Sequence, residues 1–265
     1  MIVAGVDAGA AAAKAAILDS ERRILGRGIA RTGADVVRAA ERAFRAALEA
    51  AGLQEWEIGV TTATGRGRFR VTFAAAQATE IACHARGARF RYPATRTVVD
   101  IGGQDTKAIR VAPDGSVADF AMNDACAAGT GRFLEAAASV LGVRLDEMGS
   151  LSLRSREPVH IADACAVFVE SELLDHLARG RRVEDLLRGA HRAVAGRVAV
   201  LVRGIGAEPE ATLTGGVSAD AGMVAAIEER LGMKMNAGPD GPFAGAVGAA
   251  LLALEKTGNH VRTRD

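Results

Sequence analysis

The hydrophobic pattern opens with a short apolar run, Ile2-Val3-Ala4-Gly5-Val6, that stops at Asp7. A glycine turn follows, and a second apolar run at Lys14-Ala15-Ala16-Ile17 ends in polar Asp19-Ser20-Glu21-Arg22. Two apolar runs around a small-residue turn predict a β-hairpin. The arrangement returns at Val99-Asp100-Ile101-Gly102 and Lys107-Ala108-Ile109-Arg110, ending in Pro113-Asp114-Gly115-Ser116. Both copies read Asp-x-Gly-x4-Lys-Ala, with the same offset of 93 residues at the Asp and at the Lys.

Elsewhere the period changes from two to between three and four, the mark of helices. Ala34 to Ala51 carries Val37, Ala40, Phe44, Ala47 and Leu48 on one stripe. Glu57 to Ala63 predicts a strand and Ala74 to Ala85 a helix. Ala128 to Leu141, Ala166 to Ala178 and Glu184 to Arg203 predict helices, then Ala211-Thr212-Leu213-Thr214 a strand before Gly215-Gly216. Helices at about Ala219 to Leu231 and Ala244 to Lys256 follow, with a polar, frayed tail to Asp265. A hairpin followed by helices, twice over, predicts a duplicated α/β domain with a cleft between its halves. The expected boundaries are 1–95 with 245–265 for the first subdomain and 96–244 for the second.

Composition narrows the function classes. The chain has 265 residues, 49% hydrophobic and 25% charged, with Lys+Arg at 33 against Asp+Glu at 32. A net charge of +1 gives no footprint for nucleic acid or for an anionic membrane surface. Asp7 interrupts what would be a signal peptide's apolar core, and no apolar run reaches the ~20 residues a membrane span needs. Three widely spaced cysteines fit a reducing compartment, so the expected location is cytoplasmic.

The two hairpin turns have the makings of phosphate loops. Small residues let backbone N–H groups approach a phosphate closely, and an adjacent carboxylate can hold Mg²⁺. Gly9 and Asp7 occupy those places in the first copy, Gly102, Gly103 and Asp100 in the second. Lys14 and Lys107 are candidates for neutralising phosphate, with a solvent-facing strand position as the equal alternative. Gln104 and Asp105 could orient an attacking water. Gly215-Gly216, between strand and helix, offers a surface for the rest of a nucleotide. Any one of these alone reads as an ordinary turn; the three in this order favour nucleotide binding.

Cys126 and Cys165 each precede a predicted helix, where free N–H groups favour the thiolate, whereas Cys83 sits within an apolar helix. Spacing alone leaves all three as buried thiols, since no Cys-x2-Cys pair marks a metal site. Two ligands per chain become four only across a two-fold axis.

The wording of several segments resembles one ATPase family. These are Asp100-Ile101-Gly102-Gly103-Gln104-Asp105-Thr106-Lys107, Met122-Asn123-Asp124 with Cys126-Ala127-Ala128-Gly129-Thr130-Gly131-Arg132-Phe133-Leu134-Glu135, Cys165-Ala166-Val167-Phe168-Val169-Glu170-Ser171-Glu172, and Thr214-Gly215-Gly216-Val217. The family includes the 2-hydroxyacyl-CoA dehydratase activators and the ATP-binding subunits of benzoyl-CoA reductase, and the likeness runs from Ile2 to about Leu254. It implies an actin/hexokinase-type (ASKHA) fold of duplicated ribonuclease-H-like domains around a nucleotide cleft. It also implies ATP/ADP and Mg²⁺ held at these loops, with Gly129, Thr130, Gly131 and Val217 among the binding residues. A [4Fe–4S] cluster shared by two subunits, on Cys126 and Cys165 of each, is implied as well, in a homodimer or with a sister subunit. The implied activity is ATP-driven transfer of one low-potential electron from a ferredoxin or flavodoxin to an acyl-CoA reductase or dehydratase.

There is one departure: where the family's first hairpin carries Ser/Thr hydroxyls, Ala10 to Ala13 are all alanine, which predicts weaker phosphate contacts there. Thr64-Gly65-Arg66-Gly67-Arg68-Phe69 with Val71-Thr72-Phe73, and Cys83-His84-Ala85-Arg86-Gly87-Ala88, lean toward the reductase subunits. Two other readings stay open: a small-molecule kinase of the same fold that has no use for Cys126 or Cys165, and a nucleotide-sensing subunit without turnover.

Overall fold

The computed structural model describes residues 1–123, 130–162 and 166–262, and the side chains of these except 166, 167 and 257–262. Cys126, Gly129 and Cys165 therefore lie outside the described residues, as does the tail at 263–265. Within the described residues the chain forms two compact units. Unit 1 holds Met1–Ala94, Pro113–Val117 and Pro242–Asp265; unit 2 holds Thr95–Ala112 and Ala118–Gly241.

Unit 1 is a five-stranded sheet in the order β3-β2-β1-β4-β5. Here β1 is Ile2–Ala8, β2 Ala12–Asp19, β3 Ile24–Arg31, β4 Val60–Thr64 and β5 Ala76–Gln77. β1, β2 and β3 are antiparallel neighbours, and β4 joins β1 in parallel with Asp7 opposite Thr64. Successive strand side chains point to opposite faces, so β1 serves two cores. Ala4, Val6 and Ala8 pack with Phe44 and Leu48 of α1 (Val36–Ala51). Val3 packs on the other face with Ala246, Val247 and Ala250 of α8 (Ala244–Arg262).

α1 starts where Asp35 caps it, accepting from the N–H groups of Val37 and Arg38 at 3.0 and 3.2 Å. The helix expected at Ala74 to Ala85 forms later, as α2 (Glu80–Arg91). Residues 76–77 pair with β4, and the Thr79 side chain caps the helix by accepting from Ala82 N–H at 3.3 Å. A ladder partner and a cap outweigh the helix propensity of alanine there. α2 and α8 meet backbone to backbone. A Cβ added to Gly87 would lie 2.0 Å from the Ala244 carbonyl oxygen, and one on Gly248 would lie 1.8 Å from that of Cys83.

Unit 2 repeats the sheet, in the order β8-β7-β6-β9-β10. β6 is Thr97–Ile101, β7 Thr106–Val111, β8 Val117–Met122, β9 Ala211–Thr214 and β10 Met235–Asn236. The helices are α3 (Gly131–Val140), α4 (Met148–Ser152), α5 (Ala166–Ala178), α6 (Val183–Gly204) and α7 (Ala221–Leu231). Phe133, Leu186, Leu187, Val194, Met223 and Ile227 form the centre of one continuous core. Each such side chain is worth roughly 1.5–3 kcal/mol on burial. Inside it His191 bridges Ser152 (3.0 Å) and Asp220 (3.2 Å), fastening α6 to α4 and to the cap of α7. Burial raises the proton affinity of the Asp220 carboxyl, but the hydrogen bond and charge of His191 outweigh it and hold the group below the usual carboxylate range. Among the described residues, no helix is long and apolar enough to cross a membrane.

Candidate functional site

Each unit places one Asp–Lys pair at the end of its first hairpin. The ladders put Asp7 directly opposite Lys14 and Asp100 directly opposite Lys107. Directly opposed residues of an antiparallel pair share a face, which turns both lysines toward carboxylates and away from solvent. Lys14 Nζ is 3.8 Å from Asp7 Oδ2. Lys107 Nζ is 3.5 Å from Asp100 Oδ2 and 2.7 Å from Asp105 Oδ1, with all three residues buried.

A second feature, not read from the sequence as part of the repeat, is a Thr-Gly pair ending the strand beside each aspartate. Thr64 stands opposite Asp7 and Thr214 opposite Asp100 in the parallel ladders. The following glycines have nearly the same left-handed φ, +87° at Gly65 and +86° at Gly215. A Cβ on Gly65 would lie 2.6 Å from Asp7 Oδ1, and one on Gly215 2.7 Å from Asp100 Oδ1. Both the φ and the space demand glycine. The signal was present as two Thr-Gly dipeptides, but their offset differs from that of the hairpins, so one linear comparison does not align them.

The turns themselves are braced. In unit 1, Thr32 donates its hydroxyl to Gly9 O (2.7 Å) and its N–H to Ala11 O (3.0 Å). In unit 2, Gly102 N–H closes on Asp105 O at 2.9 Å. The start of α3 then grips the same loop: Gly131 N–H donates to Gly102 O at 2.9 Å, and the Thr130 hydroxyl to Gly103 O at 3.2 Å. Gln104 is half-buried on this loop. At the Gly215 turn, Ser218 Oγ donates to Gly215 O at 2.8 Å; Val217 is buried and Gly216 exposed. Asp100, Asp105, Lys107, Gly102 and Gly215 thus gather in unit 2, and Asp7, Lys14 and Gly9 in unit 1.

Cys83 lies in α2 with no solvent exposure. Burial pushes its thiol up to about 12; the Thr64 hydroxyl, close by but without hydrogen-bond geometry, pulls the other way, and the Asp7 and Glu80 charges add to the rise. A neutral, covered thiol does not alkylate. Iodoacetamide at pH 8 should leave Cys83 unmodified in the folded chain and label it in denaturant, as read by peptide mass spectrometry.

Two five-stranded sheets of one topology, each ending in an Asp–Lys hairpin and a Thr-Gly turn, define a protein of the actin/hexokinase type. A glucokinase of the ROK family from Streptomyces griseus shares that fold at a TM-score of 0.58 and 16% identity, over 95% of this chain and 99% of that one. The sequence profile of the BadF/BadG/BcrA/BcrD ATPase family matches residues 4–253, and the chain belongs to that family. It is 41% identical over 255 residues to the activator of lactoyl-CoA dehydratase from Anaerotignum propionicum, 96% of this chain and 98% of that protein. A benzoyl-CoA reductase subunit from Thauera aromatica is 34% identical over 260 residues, 94% and 92% of the two chains. The activator of 2-hydroxyisocaproyl-CoA dehydratase from Clostridium difficile, solved with bound ADPNP, superposes with a TM-score of 0.94 at 36% identity, covering 99% and 98%. The leaning toward reductase subunits drawn from residues 64–73 and 83–88 is thus outweighed by the higher identity to activators along the whole chain.

Proposed function

We propose that this chain is an ATP-dependent activator of an acyl-CoA dehydratase that passes one electron at a time to its partner enzyme. One observation carries the reading: the loop Gly102–Asp105 is hydrogen-bonded to Thr130 and Gly131, where α3 begins soon after Cys126. A change in what the loop holds is therefore a change at the helix that follows that cysteine.

In this reading the hairpin carboxylates Asp7 and Asp100 are the groups that take Mg²⁺, directly or through water, and Gln104 and Asp105 orient the attacking water. Lys14 and Lys107 balance phosphate charge. The turns at Gly9, Gly102, Gly103, Gly215 and Gly216, with Val217, line the nucleotide. Ala11 is exposed and brings no hydroxyl, so the first turn offers phosphate backbone N–H groups and no side-chain hydroxyl.

Cys126 and Cys165 are the proposed ligands of a [4Fe–4S] cluster shared by two copies or by a copy and a sister subunit. The described neighbours of the two cysteines are helix starts: α5 begins at Ala166, next to Cys165, and α3 at Gly131, five residues after Cys126. Helix starts of this kind lower thiol pKa values. The cluster, when bound, supplies the one-electron relay between a ferredoxin or flavodoxin and the partner. Such a cluster and free thiols call for a reducing, cytoplasmic setting.

Anaerobic purification of the native chain and of Cys126→Ala and Cys165→Ala, with iron, sulfide and visible absorption measured, tests this. The native dimer should carry four irons, and each variant should lose the cluster absorption. A native chain that takes up no iron on reconstitution would end the electron-transfer reading, and a cluster persisting in both variants would refute the ligands.

A further inference from the structure

We infer that Thr32, directly after β3, is a positioning residue for ATP binding that turns the N–H groups of the first hairpin turn toward phosphate. The inference rests on the reading of this chain as an ATPase. The glycine two residues after each aspartate, Gly9 or Gly102, has its carbonyl held by a donor from outside its hairpin. In unit 2 that donor is backbone, with Gly131 N–H donating to Gly102 O at 2.9 Å. In unit 1 it is a side chain, the Thr32 hydroxyl, 2.7 Å from Gly9 O. Thr32 is 7% exposed, and its own N–H donates to Ala11 O at 3.0 Å. One residue thus binds two carbonyls of a turn in which Ala10 to Ala13 carry no polar side chain.

The direction of the N–H groups follows from the carbonyls. In a planar trans peptide the C=O and the next residue's N–H point opposite ways. With Gly9 O and Ala11 O both drawn toward Thr32, the N–H groups of Ala10 and Ala12 face away from it. Gly9 also sits against the Asp–Lys pair: a Cβ there would lie 3.6 Å from Lys14 Nζ and 3.7 Å from Asp7 Oδ1. The same Cβ would lie 2.6 Å from Ala12 O, so the turn leaves no room for a side chain at that position. Every donor that Ala10 to Ala13 present is therefore backbone, and backbone N–H groups bind an anion only when they are held converging on it. The Thr32 hydroxyl, buried behind the turn, fixes that orientation.

Steady-state MgATP hydrolysis by the full chain, with Thr32→Ser and Thr32→Val, tests this. Serine keeps the hydroxyl donor, and valine keeps the shape without it. Thr32→Ser should match the native kcat and KM. Thr32→Val should raise KM for ATP roughly 2- to 10-fold, the usual worth of one neutral hydrogen bond, with kcat little changed. A merely structural role would instead reduce the amount of active protein, which lowers the apparent kcat and leaves KM alone. A native KM in the valine variant, a loss confined to kcat, or a serine variant as impaired as valine would overturn the inference. Thr32→Ala also removes the hydroxyl and should raise KM in the same way; a native KM there would count equally against it. A native chain that hydrolyses no ATP would overturn the ATPase reading and this inference with it, whereas failure of the inference alone shows only in the variants.

Discussion

Replacing Lys107 with methionine should destabilise the chain by about 3–5 kcal/mol, the usual consequence of removing one partner from a buried ionic cluster. The ammonium is 3% exposed and lies 3.5 Å from Asp100 and 2.7 Å from Asp105. Without it two buried carboxylates lose the charge that balances them. Urea titrations of native, Lys107→Met and Lys107→Arg measure the loss. A methionine variant with the native midpoint would contradict this account, and arginine should recover part of the loss by keeping the charge.

Gly248→Ala should lower stability although it improves helix propensity. Alanine in a helix gains about 1 kcal/mol over glycine. At this position the new methyl would stand 1.8 Å from the Cys83 carbonyl oxygen and 2.5 Å from its carbon. Both are backbone atoms of α2, and no rotamer change relieves the overlap. α2 and α8 would have to separate, and such overpacking costs typically 1–3 kcal/mol and sometimes more. With backbone against backbone the cost falls at the upper end of that range, leaving a net loss of about 2 kcal/mol, or roughly 4–8 °C in melting temperature for a chain of this size. Differential scanning calorimetry would show it. A melting temperature equal to the native one would mean that the two helices adapt far more freely than their contact implies.

Much of the fold was legible because the repeat sits at the level of sequence. Asp7 and Lys14 return as Asp100 and Lys107 with intact spacing, and the ladder then makes each pair face one another. α5 and β9 fall on the residues their periodicity marks, 166–178 and 211–214. β3 escaped notice because Gly26 and Gly28 break its apolar run, and they do so to let α1 lie close: a Cβ on Gly28 would be 2.1 Å from Ala43 O. α2 was placed too early because a run of alanines carries helix propensity but no information about a neighbouring strand. In the site, residues within each hairpin were visible, while Thr32 and Gly65 were not. Each of these acts on a partner far along the chain, and such pairings have no signature until the strands are in register.

Helix α8 also orders events in time. It supplies one face of the unit 1 core, against Val3 and Leu18, yet it follows the whole of unit 2 in the chain. Synthesis proceeds at about 5–20 residues per second, so the sheet made first waits uncovered while every strand and helix of unit 2 is translated. Of the two units, the one whose strands are translated first is the last to close, and a nascent chain halted before Ala244 would present to chaperones an apolar sheet face that the finished protein never shows.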